Sequence, residues 1–166
     1  MKKYICIDIG GTRIKYGAVD ENGVLVRAED TATEAALGGR AVLDKVCRLT
    51  EQLVVQEEDV HGICVSTAGM VDCRRGSILY ASELIPGYTG MNIKEWMEKR
   101  FGLPCEVEND VNCAGLAESR AGASKGSRIS LCLTVGTGIG GTLVMDGKVF
   151  HGFCGSAGEI GYMYMG

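Results

Sequence analysis

A short apolar run rich in β-branched side chains occupies residues 4–9 (YICIDI), and comparable runs at 14–19 and 24–29 flank the turn Asp20-Glu21-Asn22-Gly23. Short apolar runs broken by turn residues predict strands, so the chain opens as an antiparallel meander. The next stretch, 31–39 (TATEAALGG), carries no clear period and ends in two glycines, which predicts a loop. Over 40–56 the pattern changes: Val42, Leu43, Val46, Leu49 and Leu53 recur at helical spacing and leave the charges on the opposite face. That helix crosses back to a buried strand at 61–66 (HGICVS). A glycine-containing turn, STAGMVD, and a short strand near Ser77–Ala81 follow.

Further along, Asn92 and Glu95 form a capping-box pattern ahead of a helix with Ile93, Trp96, Met97 and Phe101 on one face, and Gly102 and Pro104 stop it. A strand at 105–108 (CEVE) runs into Asn109-Asp110 and a helix of small residues over 111–121. Strands at 129–135 and 140–145 then flank a glycine loop, and Asp146-Gly147 makes a two-residue hairpin turn into 148–151. The succession strand, glycine turn, strand, turn, strand thus occurs at 4–29 and again at 129–151. A duplicated lobe accounts for this recurrence. The expected organisation is a first α/β lobe over 1–122 and the incomplete beginning of a second over 123–166.

Composition narrows the class. With 46% hydrophobic and 23% charged residues the chain can build a core, which excludes a disordered segment. No apolar run approaches the roughly 20 residues of a membrane span, and the opening MKKYICID meets an acidic residue too early for a signal-peptide core. A cytoplasmic protein with no membrane partner is expected. The eight cysteines sit singly, mostly inside apolar runs and with no Cys-x-x-Cys pair, which reads as buried reduced thiols and not as a disulfide framework or a zinc site. A net charge of −4 without a basic cluster argues against nucleic acid as a partner. Any phosphate site must then be local and largely made of backbone.

Three segments could supply one. In Asp8-Ile9-Gly10-Gly11-Thr12, between two predicted strands, glycines let backbone N–H groups approach a phosphate and Thr12 adds a hydroxyl. Asp8 beside them could hold a magnesium ion through its water shell, or serve only as a local acceptor in a turn. Gly136-Thr137-Gly138 opens a second glycine loop of the same character; no helix follows it, so it is not a dinucleotide fingerprint. Two matched loops, one in each copy of the repeat, could grip a triphosphate between them. Asn109-Asp110 closes a predicted strand, where ligands collect in α/β sheets. Asp110 could there accept a proton from an attacking hydroxyl, or merely cap the following helix.

Four motifs now stand in order: DIGGT at 8–12, ENDVN at 108–112, LTVGTGIGG at 133–141 and GSAGEIGY at 155–162. In these the chain resembles, from end to end, the ROK family of bacterial sugar kinases and related repressors within the sugar kinase/hsp70/actin superfamily. The resemblance implies an actin-like ATPase fold, ribonuclease H-like in its mixed sheet, with one full lobe and the opening hairpin of another. It implies transfer of the γ-phosphate of ATP, with Mg2+, to a hexose or hexose-derivative hydroxyl, most often the 6-hydroxyl. Asp110 would be the general base. Gly10, Gly11, Thr12, Gly136, Thr137 and Gly138 would contact phosphates, with Asp8 near the magnesium. Asn109 and Glu159 would bind sugar hydroxyls, and Gly69, Glu83 and Tyr162 complete the candidate sugar site.

Departures from the family pattern fall in that site. Tyr162 stands where most members carry a histidine that touches sugar and ligates structural zinc, so zinc is not expected. Tyr80-Ala81-Ser82-Glu83 stands where YAPN is usual, replacing a sugar-binding asparagine by Glu83. The remaining helices of the second lobe and the adenosine pocket are expected beyond Gly166, which makes self-association of this chain, as a homodimer or otherwise, the expected cover for its apolar strands. Two other readings are a sugar-binding or assembly module without catalysis and a sugar-responsive regulator. The regulators carry a helix-turn-helix ahead of the first strand, which here begins near residue 3.

Overall fold

A computed structural model describes residues 1–136 and 138–163, and of Tyr162 the backbone only. The described chain divides into two compact units, Met1–Glu108 and Asn109–Gly166.

The first unit is built on a five-stranded sheet in the order β3-β2-β1-β4-β7, the last strand being β7 (Cys105–Asn109). Strands β1 (Lys3–Ile9), β2 (Arg13–Asp20) and β3 (Leu25–Ala32) form the antiparallel meander, and β4 (Val60–Thr67) pairs in parallel with β1. Period-two alternation sends Ile5, Ile7 and Ile9 into the core, each at most 1% exposed. Burying an isoleucine side chain contributes about 1.5–3 kcal/mol, so these residues fix which face of β1 turns inward. The stripe of α1 (Gly39–Gln56), with Val42, Leu43, Val46 and Leu53 buried, joins the same core, as do Ile93 and Met97 of α2 (Ile93–Phe101). Helix α2 begins as its sequence requires: Asn92 accepts a hydrogen bond from the Glu95 N–H at 3.1 Å, and Gly102 closes the other end. The turn between β2 and β3 is held by Asp20, whose Oδ1 accepts from the N–H groups of Asn22 and Val24.

The segment 31–39 is not a plain loop. Strand β3 continues to Ala32, a short 3-10 helix spans Ala35–Leu37, and α1 starts at Gly39 with Gly38 as its cap residue. The paired glycines stand at the entry to the helix, within one residue of where the pattern starts it. Part of the STAGMVD turn is likewise a strand, β5 (Met70–Asp72), which pairs antiparallel with β6 (Ser77–Tyr80) across a bulge. The thiols are less uniformly buried than expected. Cys47 and Cys105 are buried, and burial pushes Cys105 up to about 12, but Cys64 and Cys154 are exposed. Cys64 sits on the opposite face of β4 from Ile63 and Val65, where alternation turns it away from the core.

In the second unit α3 (Asp110–Ala121) packs on a three-stranded antiparallel sheet of order β10-β9-β8, made of β8 (Ile129–Val135), β9 (Ile139–Met145) and β10 (Lys148–Val149). Gly115 of α3 is buried directly against Thr142 of β9, so the helix packs with this sheet. On the other face of β8, Ile129, Leu131, Leu133 and Val135 are all more than half exposed. Among the described residues no helix is long and apolar enough to cross a membrane.

Candidate functional site

Each unit carries part of the set read from the sequence. In the first, Asp8 lies near the carboxyl end of β1, with Lys15 of β2 and Ser66 of β4 as its cross-strand partners. That register brings three polar side chains to one face of the sheet. Ser66 Oγ donates to Asp8 Oδ1 at 2.8 Å, and Lys15 Nζ stands 3.7 Å from Asp8 Oδ2. Ser66 was not singled out in the sequence because its neighbour is set by a parallel pairing that crosses α1. The Lys15 contact is solvent-exposed and contributes little stability.

The loop after Asp8 is closed by a hydrogen bond from the Gly10 N–H to the Arg13 carbonyl at 3.0 Å. Gly10 therefore spends its own donor inside the hairpin, whereas the N–H groups of Gly11 and Thr12 have no partner among the described residues. Two further segments reach this edge. The Ala68 N–H donates to the Ile9 carbonyl at 3.3 Å, which extends the β1–β4 pairing into the turn that carries Gly69. Gly69 has φ +101, and a Cβ there would lie 2.7 Å from the Tyr80 carbonyl, so only glycine fits. Thr67, just before it, is fixed by a 2.8 Å hydrogen bond to the buried Tyr88 hydroxyl. Leu84 approaches to 3.6 Å of the position a Cβ would take on Gly11, and Glu83 next to it is exposed.

The second unit holds Asn109, Asp110, Gly136, Gly138 and Glu159. At the junction of β7 (Cys105–Asn109) with α3 the cap is not Asp110. Asn109 is the cap: its Oδ1 accepts from the N–H groups of Val111 and Asn112 at 2.9 and 3.1 Å. Asp110 is the first helical residue, and its Oδ1 accepts from Val111 N and from Asn109 Nδ2, both at 2.9 Å. A carboxylate in the first helical turn is stabilised by the helix dipole and by these donors.

Glu159 follows the same logic of backbone placement. Gly158 and Gly161 lie flat against β9, where a Cβ on either would overlap the carbonyl oxygen of Gly141 or Ile139. The Gly141 N–H donates to the Gly158 carbonyl at 3.0 Å, which fastens the segment to the strand. Glu159 is thereby carried between the two contact points. Its proton affinity is raised, first by burial and then by the charge of Asp110, so the two carboxyl groups are electrostatic neighbours. The second glycine loop closes by a hydrogen bond from Gly136 N to Gly138 O at 2.9 Å. Thr137 and the side chain of Tyr162 lie outside the described residues.

A family model described as ROK family matches residues 4–166. A beta-glucoside kinase of Listeria monocytogenes is 36% identical over 162 residues, covering 98% of this chain and 53% of its own. A glucokinase of Streptomyces coelicolor is 35% identical over 161 residues, covering 97% and 49%. The chain spans about half the length of the curated relatives it matches. Among solved structures, a ROK family glucokinase from Streptomyces griseus in complex with glucose and AMPPNP superposes with a TM-score of 0.86 at 34% identity, covering 98% of this chain and 51% of that one. The fold is the α/β mixed-sheet architecture of these actin-like kinases.

Proposed function

The chain belongs to the ROK family, and on that premise we propose that it forms part of an ATP-dependent sugar kinase that phosphorylates a hydroxyl of a hexose or hexose derivative, the 6-hydroxyl being the expected acceptor. The observation that carries this reading is that the two carboxylates assigned to the sugar belong to one compact unit, Asp110 at the start of α3 and Glu159 on the segment that Gly158 and Gly161 hold to β9. Sugar hydroxyls are recognised by such acceptors, and a proton abstracted from the reacting hydroxyl needs a nearby carboxylate.

In this reading Asp110 is the base, with one oxygen oriented by Asn109 Nδ2 and the Val111 N–H. Asn109 and Glu159 hydrogen-bond the sugar and set which hydroxyl meets Asp110. Gly11 and Thr12 offer backbone donors to a phosphate, and the loop of Gly136, Thr137 and Gly138 is assigned to phosphate as well, with the Gly136 N–H already committed to the Gly138 carbonyl. Asp8, oriented by Ser66, supplies a hard carboxylate oxygen of the kind Mg2+ prefers, reached through water. Bound MgATP would supply the phosphoryl group and neutralise its charge. Gly69 and Glu83 are assigned to the sugar side. The beta-glucoside kinase and glucokinase names of the relatives point to a glucose-configured substrate.

The test is product analysis on the full-length protein with glucose, N-acetylhexosamines and a β-glucoside, the phosphate being located by 31P–1H correlation. A 6-phosphorylated product from at least one sugar is expected. Failure to phosphorylate any of them would reject the reading.

A further inference from the structure

The phosphate loop of the first unit is gripped from outside by a residue of the segment that the sequence reads as a loop. Thr33 is 1% exposed, and both of its donors bind the Gly10–Thr12 turn. Its Oγ1 donates to the Gly10 carbonyl at 2.6 Å, and its N–H donates to the Thr12 carbonyl at 2.9 Å. The flanking residues are anchored in turn by Lys45 of α1, whose Nζ donates to the Ala32 carbonyl at 2.6 Å and pairs with Glu34 at 2.7 Å.

The consequence follows from peptide geometry. In a planar trans peptide the C=O and the following N–H point in opposite directions. Holding the Gly10 oxygen on Thr33 therefore turns the Gly11 N–H away from Thr33, and this N–H is one of the two donors the loop leaves unpartnered. Glycines on both sides of that peptide would otherwise let it flip at low cost. We infer that Thr33 is a positioning residue for nucleotide: its hydroxyl locks the Gly10–Gly11 peptide in the orientation that offers the Gly11 N–H to a phosphate. The inference rests on the kinase reading above and deepens it, since it places a residue outside the glycine motif in control of phosphate binding.

Thr33→Val keeps the branched shape and the backbone bond to Thr12 and removes only the hydroxyl. In the full-length protein this variant is expected to raise the KM for ATP about tenfold, the scale of one lost hydrogen bond, with the KM for sugar within twofold and the melting midpoint lowered by a few degrees because the Gly10 carbonyl loses its partner. Thr33→Ser, which keeps the hydroxyl, is expected to restore the KM for ATP to within about twofold of wild type. An unchanged KM for ATP in Thr33→Val, equal changes in both KM values, or equal impairment in Thr33→Ser would overturn the inference. Should Thr33→Val fail to fold, Lys45→Met carries the test. It releases the flanks of Thr33, and a rise of about threefold in the KM for ATP alone is expected, whereas no rise overturns the inference. Wild-type protein run in parallel separates the two levels. An inactive wild type rejects the kinase reading and this inference with it, and an active wild type with indifferent variants rejects the inference alone.

Discussion

Glu159 holds its proton more tightly than an ordinary glutamate because it is partly buried and because the negative charge of Asp110 bears on it. A carboxyl whose folded-state proton affinity is raised is best tolerated when protonated. Its favourable contribution is present below the ordinary value of 4.5 and is lost as pH rises through the raised value. Glu159→Gln, which mimics the protonated form, should therefore melt above wild type at neutral pH, and the two curves should converge below about pH 4. A gap independent of pH would show that the proton affinity of Glu159 is not raised in the folded protein. The same variant is expected to lose sugar affinity, stability having been given up for a charged acceptor in the site.

Ser66 tests the metal side separately. Ser66→Ala removes the donor to Asp8 Oδ1 and leaves the strand pairing intact. The Mg2+ concentration for half-maximal rate should rise a few-fold while the KM for sugar stays constant. A shift in the sugar KM instead would place Asp8 on the sugar and not near the metal.

Asn109 combines two roles that substitution can part. As the cap of α3 it is replaceable by serine, so Asn109→Ser should retain most stability, whereas Asn109→Ala should lose about 1 kcal/mol. Both lack the amide that donates to Asp110, and both should bind sugar about tenfold or more weakly. Thermal melts beside sugar titrations read the two effects. Normal sugar binding by Asn109→Ser would confine Asn109 to capping.

Strand β8 is the outer strand of its sheet and shows Ile129, Leu131, Leu133 and Val135 on one uncovered face. An open apolar edge of this kind invites pairing with another copy. Residues 1–166 prepared alone should self-associate, and Leu131→Lys with Leu133→Lys should reduce the scattering mass toward a monomer. A monodisperse monomer without those changes would contradict the expectation.

What could be read from the sequence was governed by how local its cause is. The face of α1, the Asn92 cap, the Asp20 turn and the strands around both glycine loops depend on residues a few positions apart, and they stand where the pattern puts them. Strand β5 escaped notice because its definition is its pairing with β6 across a bulge, and the 3-10 turn at Ala35–Leu37 is too short to leave a period in the pattern. In the candidate site the motif residues themselves were legible. Their supports were not: Ser66 meets Asp8 through the parallel register of β4 on β1, and Thr33 meets Gly10 across 23 positions of chain. The exchange of capping duty from Asp110 to Asn109 turns on a one-residue difference in where α3 starts, which pattern alone does not resolve.

The proposed function turns on one step, in which Asp110 takes the proton of a sugar hydroxyl during phosphoryl transfer from ATP. Sugar-dependent ADP release by the full-length protein, measured for wild type and for Asp110→Asn, tests it most directly. The amide keeps the shape of the side chain but cannot accept a proton, so kcat should fall by about 100- to 10,000-fold while sugar affinity stays within a few-fold. Wild-type turnover by Asp110→Asn would contradict the account.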